Sequence, residues 1–124
     1  MDEKTFIATV AERAGLSKEE AADLTRATLE AIAGQISGGE IEKLAAALPD
    51  WLVPNLPRHN RSAHPIAVSQ FIREISQRTG LNEQETRRGV AAVLAVLNEA
   101  VDRTHLEHAL ALLPKDYREL ETAA

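Results

Sequence analysis

The chain lacks cysteine, and this absence excludes both disulfide bonds and thiolate metal sites. Aromatic residues are scarce as well, since the 124 residues include one tryptophan, one tyrosine and two phenylalanines. No apolar run approaches the roughly 20 residues that a membrane-spanning helix needs, and the acidic opening MDEKTF lacks the apolar segment of a secretion signal. With 44% hydrophobic and 27% charged residues, the sequence predicts one small soluble domain that resides in the cytoplasm.

Negative charge predominates, with 19 Asp and Glu residues against 14 Lys and Arg. The charge is unevenly placed. Residues 1–52 carry 10 acidic and 5 basic residues, whereas residues 53–88 carry 6 arginines and 3 glutamates. An acidic protein attracts phosphate backbones poorly, so binding to nucleic acid is disfavoured. The basic middle of the chain could instead dock an acidic partner.

Two copies of one pattern run through the chain at a constant offset of 65 residues. The offset holds without a gap between residues 6–52 and residues 71–117. Identical residues recur at this offset, among them Phe6/Phe71, Arg13/Arg78, Gly15/Gly80, Leu16/Leu81, Glu20/Glu85, Leu29/Leu94 and Pro49/Pro114. The offset predicts a tandem duplication. Its parts are repeat one at 3–52, a linker at 53–65, repeat two at 66–117 and a short C-terminal tail at 118–124.

Each repeat has the apolar spacing of three helices. The predicted fold class is therefore an all-α, compact helical bundle of two tandem three-helix repeats related by a pseudo-twofold axis. Helices are expected at residues 3–14, 18–37, 40–47, 66–79, 83–102 and 104–112. Gly15 and Gly80 supply the left-handed residue that commonly ends a helix. The S-x-x-E motif at Ser17 and its counterpart at Asn82 have the form of capping boxes.

Two further segments bear on how the repeats pack. The middle helix of repeat two is apolar nearly all round at residues 90–97, so we expect it at the centre of the bundle, with an oligomer interface as the alternative. The corresponding helix of repeat one is expected to end at the Gly38-Gly39 pair. The linker at 53–65 contains three prolines and the basic residues Arg58 and Arg61, and it is either a solvated connector or a functional loop.

Repeat one carries the pattern F-x-x-x-V-A-x-R-A-G-L-S-x-E-E-A, then T-R-A-T-L-E-A-I-A-x-x-I-S-G-G-E, then L-A-x-x-L-P-x-x-L. The pattern is formed by Phe6, Val10, Ala11, residues 13–17, residues 19–21, residues 25–33, residues 36–40, Leu44, Ala45, Leu48, Pro49 and Leu52. This pattern resembles the bacterial domain-of-unknown-function family 2267, and the resemblance covers both repeats. It implies a small helical protein of the bacterial cytoplasm and brings no catalytic residues to carry over.

Residues suited to catalysis are few. His105 and His108 lie three residues apart on a predicted helix and could share a metal ion, but the spacing indicates no third ligand. No nucleophile motif such as G-x-S-x-G or H-E-x-x-H is present. We therefore predict no catalytic residue, no metal site, no cofactor and no enzymatic activity. Arg13 and Arg78 lie in the last turn of their predicted helices, where a positive charge interacts favourably with the helix dipole. Each could also pair with a carboxylate of its own repeat.

The predicted function is that of a non-catalytic adaptor or assembly component that binds another protein or a second copy of itself. The partner-binding residues are predicted to be arginines of the basic segment and two apolar neighbours: Trp51, Leu56, Arg58, Arg61, Arg73, Arg87 and Arg88. Trp51 is either a plug of the core or an exposed anchor. One alternative is a nucleic-acid-associated regulator that uses an arginine-rich face, and another is a carrier of a small ligand between the repeats.

Overall fold

The structure, a computed structural model, describes residues 1–36, 38–56 and 66–100, together with residues 107, 111 and 117. In this part of the chain there are five α-helices and no strand. The helices are α1 (Glu3–Ala14), α2 (Lys18–Ala33), α3 (Gly38–Ala47), α4 (Val68–Thr79) and α5 (Glu83–Ala100), with a 3-10 turn at Val53–Asn55. The all-α fold class is confirmed. The predicted sixth helix, at 104–112, lies outside the described residues apart from residues 107 and 111.

None of the helices among the described residues is long and apolar enough to cross a membrane. Two of them end at the glycines that the sequence analysis selected. Gly15, after α1, has φ 68°, and Gly80, after α4, has φ 76°. This left-handed backbone is strained for residues with a Cβ atom, which explains glycine at both positions.

The start of α1 is fixed by a cap that the sequence analysis did not identify. The Thr5 N–H donates to Asp2 Oδ1 at 2.7 Å, and this hydrogen bond lowers the pKa of Asp2. The starts of α2 and α5 are the predicted capping boxes. The Glu20 N–H donates to Ser17 Oγ at 3.1 Å and the Ser17 N–H donates to Glu20 Oε1 at 2.9 Å. Reciprocal bonds of 2.8 and 3.0 Å join Asn82 and Glu85.

Removing the α2 cap should destabilise the fold measurably. We expect Ser17→Ala to lower the free energy of unfolding by about 1 kcal/mol, because a helix-terminal N–H loses its acceptor. Urea denaturation followed by circular dichroism measures this. Lys18→Ala, at the neighbouring exposed position, is the control and should change stability by less than about 0.5 kcal/mol. Equal effects of the two substitutions would contradict the capping role.

The boundary between α2 and α3 differs from the prediction. α2 ends at Ala33 rather than at the expected residue 37, and Gly38 and Gly39 form the first turn of α3 instead of a break. After Ala33 the backbone tightens, because the Gln35 N–H donates to the Ile32 carbonyl, three residues back, at 3.0 Å. The tighter turn buries the Gln35 side chain, which is 3% exposed. The sequence does not indicate this turn, because Gln35 fits the polar face of a continuing helix.

Helix α5 lies at the centre of the bundle and packs against α1, α2 and α4. Of residues 90–97, all but Ala95 are buried within a single chain. The apolar segment is therefore core, which confirms the expected central position. The fold also packs each of the outer helices across the two halves, the N-terminal half (residues 1–56) and the C-terminal half (residues 66–117). α1 contacts α5 as well as α2, and α4 contacts α2 as well as α5.

The two central helices approach most closely at Gly89 of α5. A Cβ atom built on Gly89 would lie 2.1 Å from Leu24 Cδ2, in α2. Leu24 is fully buried and Gly89 is buried as well. The absence of a side chain at Gly89 thus makes the space that the Leu24 side chain occupies. Leu24 and Gly89 are separated by 65 residues, so the predicted duplication would make them equivalent positions.

Each half contains a T-shaped aromatic pair. The Phe6 and Trp51 rings have centroids 5.1 Å apart at an interplanar angle of 71°, and Phe71 and Tyr117 have 5.0 Å and 69°. The later aromatic residue also donates to a main-chain carbonyl just before α1 or α4. Trp51 Nε1 donates to Met1 O at 3.4 Å, and Tyr117 Oη donates to Ile66 O at 2.9 Å. Phe6 and Phe71 are related by the 65-residue offset, whereas Tyr117 aligns with Leu52 and not with Trp51. The two aromatic pairs are therefore similar in geometry but not in position, and the duplication stays a prediction.

Candidate functional site

The outer side of α4 presents a polar surface that includes one of the predicted partner-binding arginines. Four exposed residues lie on it at helical spacing, and we call them the α4 face: Ser69, Gln70, Arg73 and Gln77. No carboxylate of the described residues lies within ion-pair distance of Arg73. The Gln70 amide donates to Glu74 Oε1 at 3.5 Å, within the same helix. Arg73 is therefore an exposed arginine without an ion-pair partner among the described residues.

The other two described arginines of the predicted site, Arg87 and Arg88, have partners within the same chain. Arg88 Nε donates to the Ala14 carbonyl at 2.7 Å, which satisfies an end carbonyl of α1. Arg87 Nη2 lies 3.3 Å from Glu83 Oε1, four residues earlier on α5. Neither side chain joins Arg73 on the α4 face. The three described arginines of the predicted site thus differ in their contacts, and the basic face expected from residues 53–88 stays a prediction.

Arg13 and Arg78 pair across the halves rather than within their own repeats, which corrects the expected intra-repeat pairing. Arg13 Nη2 lies 2.9 Å from the Glu99 carboxylate of α5. Arg78 Nη1 lies 2.9 Å from Glu30 Oε2 of α2. The α1–α5 and α4–α2 packing brings these groups together. Both pairs are half-exposed, so each contributes at most about 1 kcal/mol of stability.

The two apolar residues of the predicted site belong to the first half's core region. Leu56 is 4% exposed and packs in the main hydrophobic core, so it offers no surface for a partner. Trp51 is half-buried against Phe6, as its ring contact and its bond to Met1 O require. The plug interpretation of Trp51 agrees with this arrangement. Met1, at 48%, is the large hydrophobic residue most exposed in the described part of the chain.

Comparison with known families now places the chain. A family model described as "Uncharacterized conserved protein (DUF2267)" matches residues 3–120. The chain belongs to the DUF2267 family. The predicted resemblance is confirmed, and it covers nearly the whole sequence. A comparison with curated proteins finds no match. The family description assigns no activity, so the function of this DUF2267 protein has to be argued from its own residues.

Two predicted partner-binding residues of the DUF2267 chain, Arg58 and Arg61, lie outside the described residues. So do His105 and His108, which were weighed as metal ligands and not predicted to form a site. Among the residues that the structure does describe, no group of three or more His, Asp or Glu side chains could hold a metal ion. The site that can be described in this DUF2267 protein therefore consists of the α4 face around Arg73.

A buried polar cluster joins the two halves of the DUF2267 chain, and the sequence analysis did not find it. Gln35 Oε1 accepts from the Ile66 N–H at 3.0 Å and lies 3.1 Å from Tyr117 Oη, whose single proton is shared between Gln35 Oε1 and the Ile66 carbonyl. Tyr117 is 2% exposed. Burial raises the pKa of Tyr117 to about 12, and the hydrogen bond to Gln35 offsets part of the rise. The sequence offers one signal for this cluster. Tyr117, the single tyrosine, aligns with the apolar Leu52 at the 65-residue offset, which indicates a buried hydroxyl that needs a hydrogen-bond partner.

Proposed function

We propose that this DUF2267 protein is a non-catalytic interaction module that binds an acidic segment of another protein through the α4 face. The observation that carries the proposal is the contrast between Arg73 and its neighbours. Arg73 is exposed and has no ion-pair partner among the described residues, whereas Arg78 and Arg87 form half-exposed ion pairs and Arg88 donates to the Ala14 carbonyl. An exposed guanidinium binds carboxylates in a bidentate geometry, which favours an acidic partner.

The chemistry around Arg73 supports a peptide or protein surface as the ligand. Gln70 and Gln77 lie on either side of Arg73 along the helix, and their amides can both donate and accept hydrogen bonds. Such side chains pair with main-chain groups as well as with carboxylates. Arg58 and Arg61 precede α4 in the sequence and add two positive charges to this stretch of the chain. We also propose that this protein is bacterial and resides in the cytoplasm, in line with the family resemblance and the composition.

Charge reversal at Arg73 tests the proposal. We expect Arg73→Glu to weaken partner binding about tenfold or more, since attraction to a carboxylate becomes repulsion. Wild-type and variant proteins, each tagged, are used to recover partners from host lysate, and bound proteins are quantified by mass spectrometry. Arg26→Glu, an equal charge change on the exposed side of α2, is the control and should leave recovery unchanged. Equal recovery by all three proteins would exclude the α4 face.

The same experiment tests the nucleic-acid alternative. Parallel samples are treated with nuclease before capture. Recovery that persists after treatment and falls with Arg73→Glu supports the acidic protein partner. Recovery that collapses after treatment, with a steep dependence on salt, would replace the proposal with an arginine-face regulator that acts on nucleic acid.

A further inference from the structure

The packing between the two halves is reciprocal, as it is in a symmetric dimer. By the 65-residue offset, α4 corresponds to α1 and α5 corresponds to α2. α1 of the N-terminal half packs on α5 of the C-terminal half, and α4 packs on α2. This is the exchange of equivalent contacts that defines an isologous interface. One chain therefore contains an interface of the kind that usually joins two chains.

The Leu24–Gly89 contact lies at the centre of that arrangement. In an interface with twofold symmetry, a residue meets its own equivalent only near the axis. Leu24 and Gly89 are equivalent positions, and the Leu24 side chain fills the space above Gly89. Because the residues differ in size, the contact also favours the pairing of unlike halves. Two N-terminal halves would oppose leucine to leucine, and two C-terminal halves would oppose glycine to glycine, so the complementary pairing joins unlike halves.

The polar contacts also join unlike halves. The Arg13–Glu99 pair, the Arg78–Glu30 pair and the Arg88 bond to the Ala14 carbonyl all join the N-terminal half to the C-terminal half. The buried Gln35 side chain likewise accepts hydrogen bonds from Ile66 and Tyr117 of the other half. None of these contacts depends on the two halves belonging to the same chain.

We propose that a second copy of this protein fits the interface between the halves, so that two chains exchange halves and form a dimer. In that dimer the N-terminal half of each chain packs on the C-terminal half of the other. Every contact named above is kept, and the cost relative to the monomer is mainly that of association. Residues 57–65 join the halves and span at most about 30 Å when extended. This proposal is independent of the α4 face and of its partner.

Complementary charge variants of the full chain test the exchange. One variant carries Arg13→Glu and Arg78→Glu, and the other carries Glu30→Arg and Glu99→Arg. Each variant alone has two like-charge contacts in its monomer. In a half-exchanged heterodimer, all four contacts again join opposite charges. After unfolding in denaturant, mixing and refolding, native mass spectrometry should show a 1:1 heterodimer about tenfold more abundant than either homodimer.

A control pair separates exchange from general attraction between charged proteins. One control carries Asp23→Arg and Glu83→Arg, and the other carries Arg26→Glu and Arg87→Glu. These pairs lie within α2 and within α5, so exchange cannot restore them. The number of reversals and the net charges match those of the test variants. The contacts between the halves are intact in both controls, so the control mixture should form exchanged homodimers and heterodimers in the proportions of random pairing.

Two results would overturn the proposal. The first is a refolded test mixture that contains only monomers, or one in which the heterodimer is no more enriched than in the control mixture. The second is immediate formation of the heterodimer when the folded test variants are mixed without denaturant, because exchange requires each chain to open before it pairs. Abundant heterodimer after joint refolding, slow formation from the folded proteins and random pairing in the control mixture would together support it.

Discussion

Replacing Gly89 with alanine is expected to lower the free energy of unfolding by about 1 to 3 kcal/mol. In a helix interior, alanine is normally more stabilising than glycine by about 1 kcal/mol. The expected change in stability therefore has the opposite sign to the intrinsic helix preference. The reason is the added Cβ atom, which would lie 2.1 Å from Leu24 Cδ2. Leu24 is fully buried, so its side chain cannot move away into solvent.

A double-mutant cycle makes this prediction specific to the contact. Leu24→Ala alone should cost about 2 to 5 kcal/mol through the cavity that it leaves. In the double variant the alanine at 89 enters the space vacated at 24. We therefore expect the combined cost to be less than the sum of the two by about 1 to 3 kcal/mol, measured by urea denaturation.

Gly39 is the matched control for this cycle. A Cβ atom on Gly39 meets no atom within 4 Å, and Gly39 lies in the first turn of α3. Gly39→Ala should leave stability unchanged or raise it by up to about 1 kcal/mol. If Gly89→Ala is as well tolerated as Gly39→Ala, or if the two core substitutions are additive, the close contact between α2 and α5 is wrong.

Alkaline pH is expected to remove about 2 to 3 kcal/mol of stability through Tyr117. In the folded protein its pKa is raised to about 12, because burial disfavours the phenolate, whereas an unfolded tyrosine has a pKa of about 10. A raised folded pKa stabilises the protein fully below the unfolded value. This contribution is then lost as the pH rises from about 10 through about 12.

The chain contains a single tyrosine, so the near-ultraviolet absorbance of tyrosinate reports on Tyr117 alone. Tyr117→Phe is the reference protein. At about pH 8 it should be less stable than the wild type by about 1 to 2 kcal/mol, because the Ile66 carbonyl loses its donor. The difference should shrink as the pH is raised above about 10. A folded-state titration midpoint near 10 would contradict the burial of this hydroxyl.

Local signals in the sequence predicted the helices well. The glycine and cap at residues 15 and 17 determine where α1 ends and α2 begins, and these residues act through the backbone next to them. The apolar spacing of Phe6 and Val10 likewise predicted which face of α1 is buried. The end of α2 was missed because Gln35 leaves the helix for a hydrogen bond to Ile66, which is 31 residues away.

The candidate site was less predictable, since pairing across the bundle depends on how the helices are placed. Arg73, Arg87 and Arg88 are alike in the sequence, and only the packing shows that Arg88 contacts Ala14, 74 residues away. Leu56 follows Pro54 in the linker, where the sequence favours a surface position, but its side chain enters the core. The direction of the Arg13 and Arg78 ion pairs had no sequence signal, because suitable carboxylates occur in both halves.

The interleaving of the halves also governs what happens while the chain is being made. A ribosome completes the N-terminal half first, and at about 5 to 20 residues per second the C-terminal half follows over roughly 3 to 12 seconds. Until then α2 has no α4 or α5 to cover it, and buried side chains such as Leu24 face water. Synthesis therefore passes through a stage in which half of the core is exposed. On a messenger translated by several ribosomes, neighbouring nascent chains carry that same uncovered surface side by side.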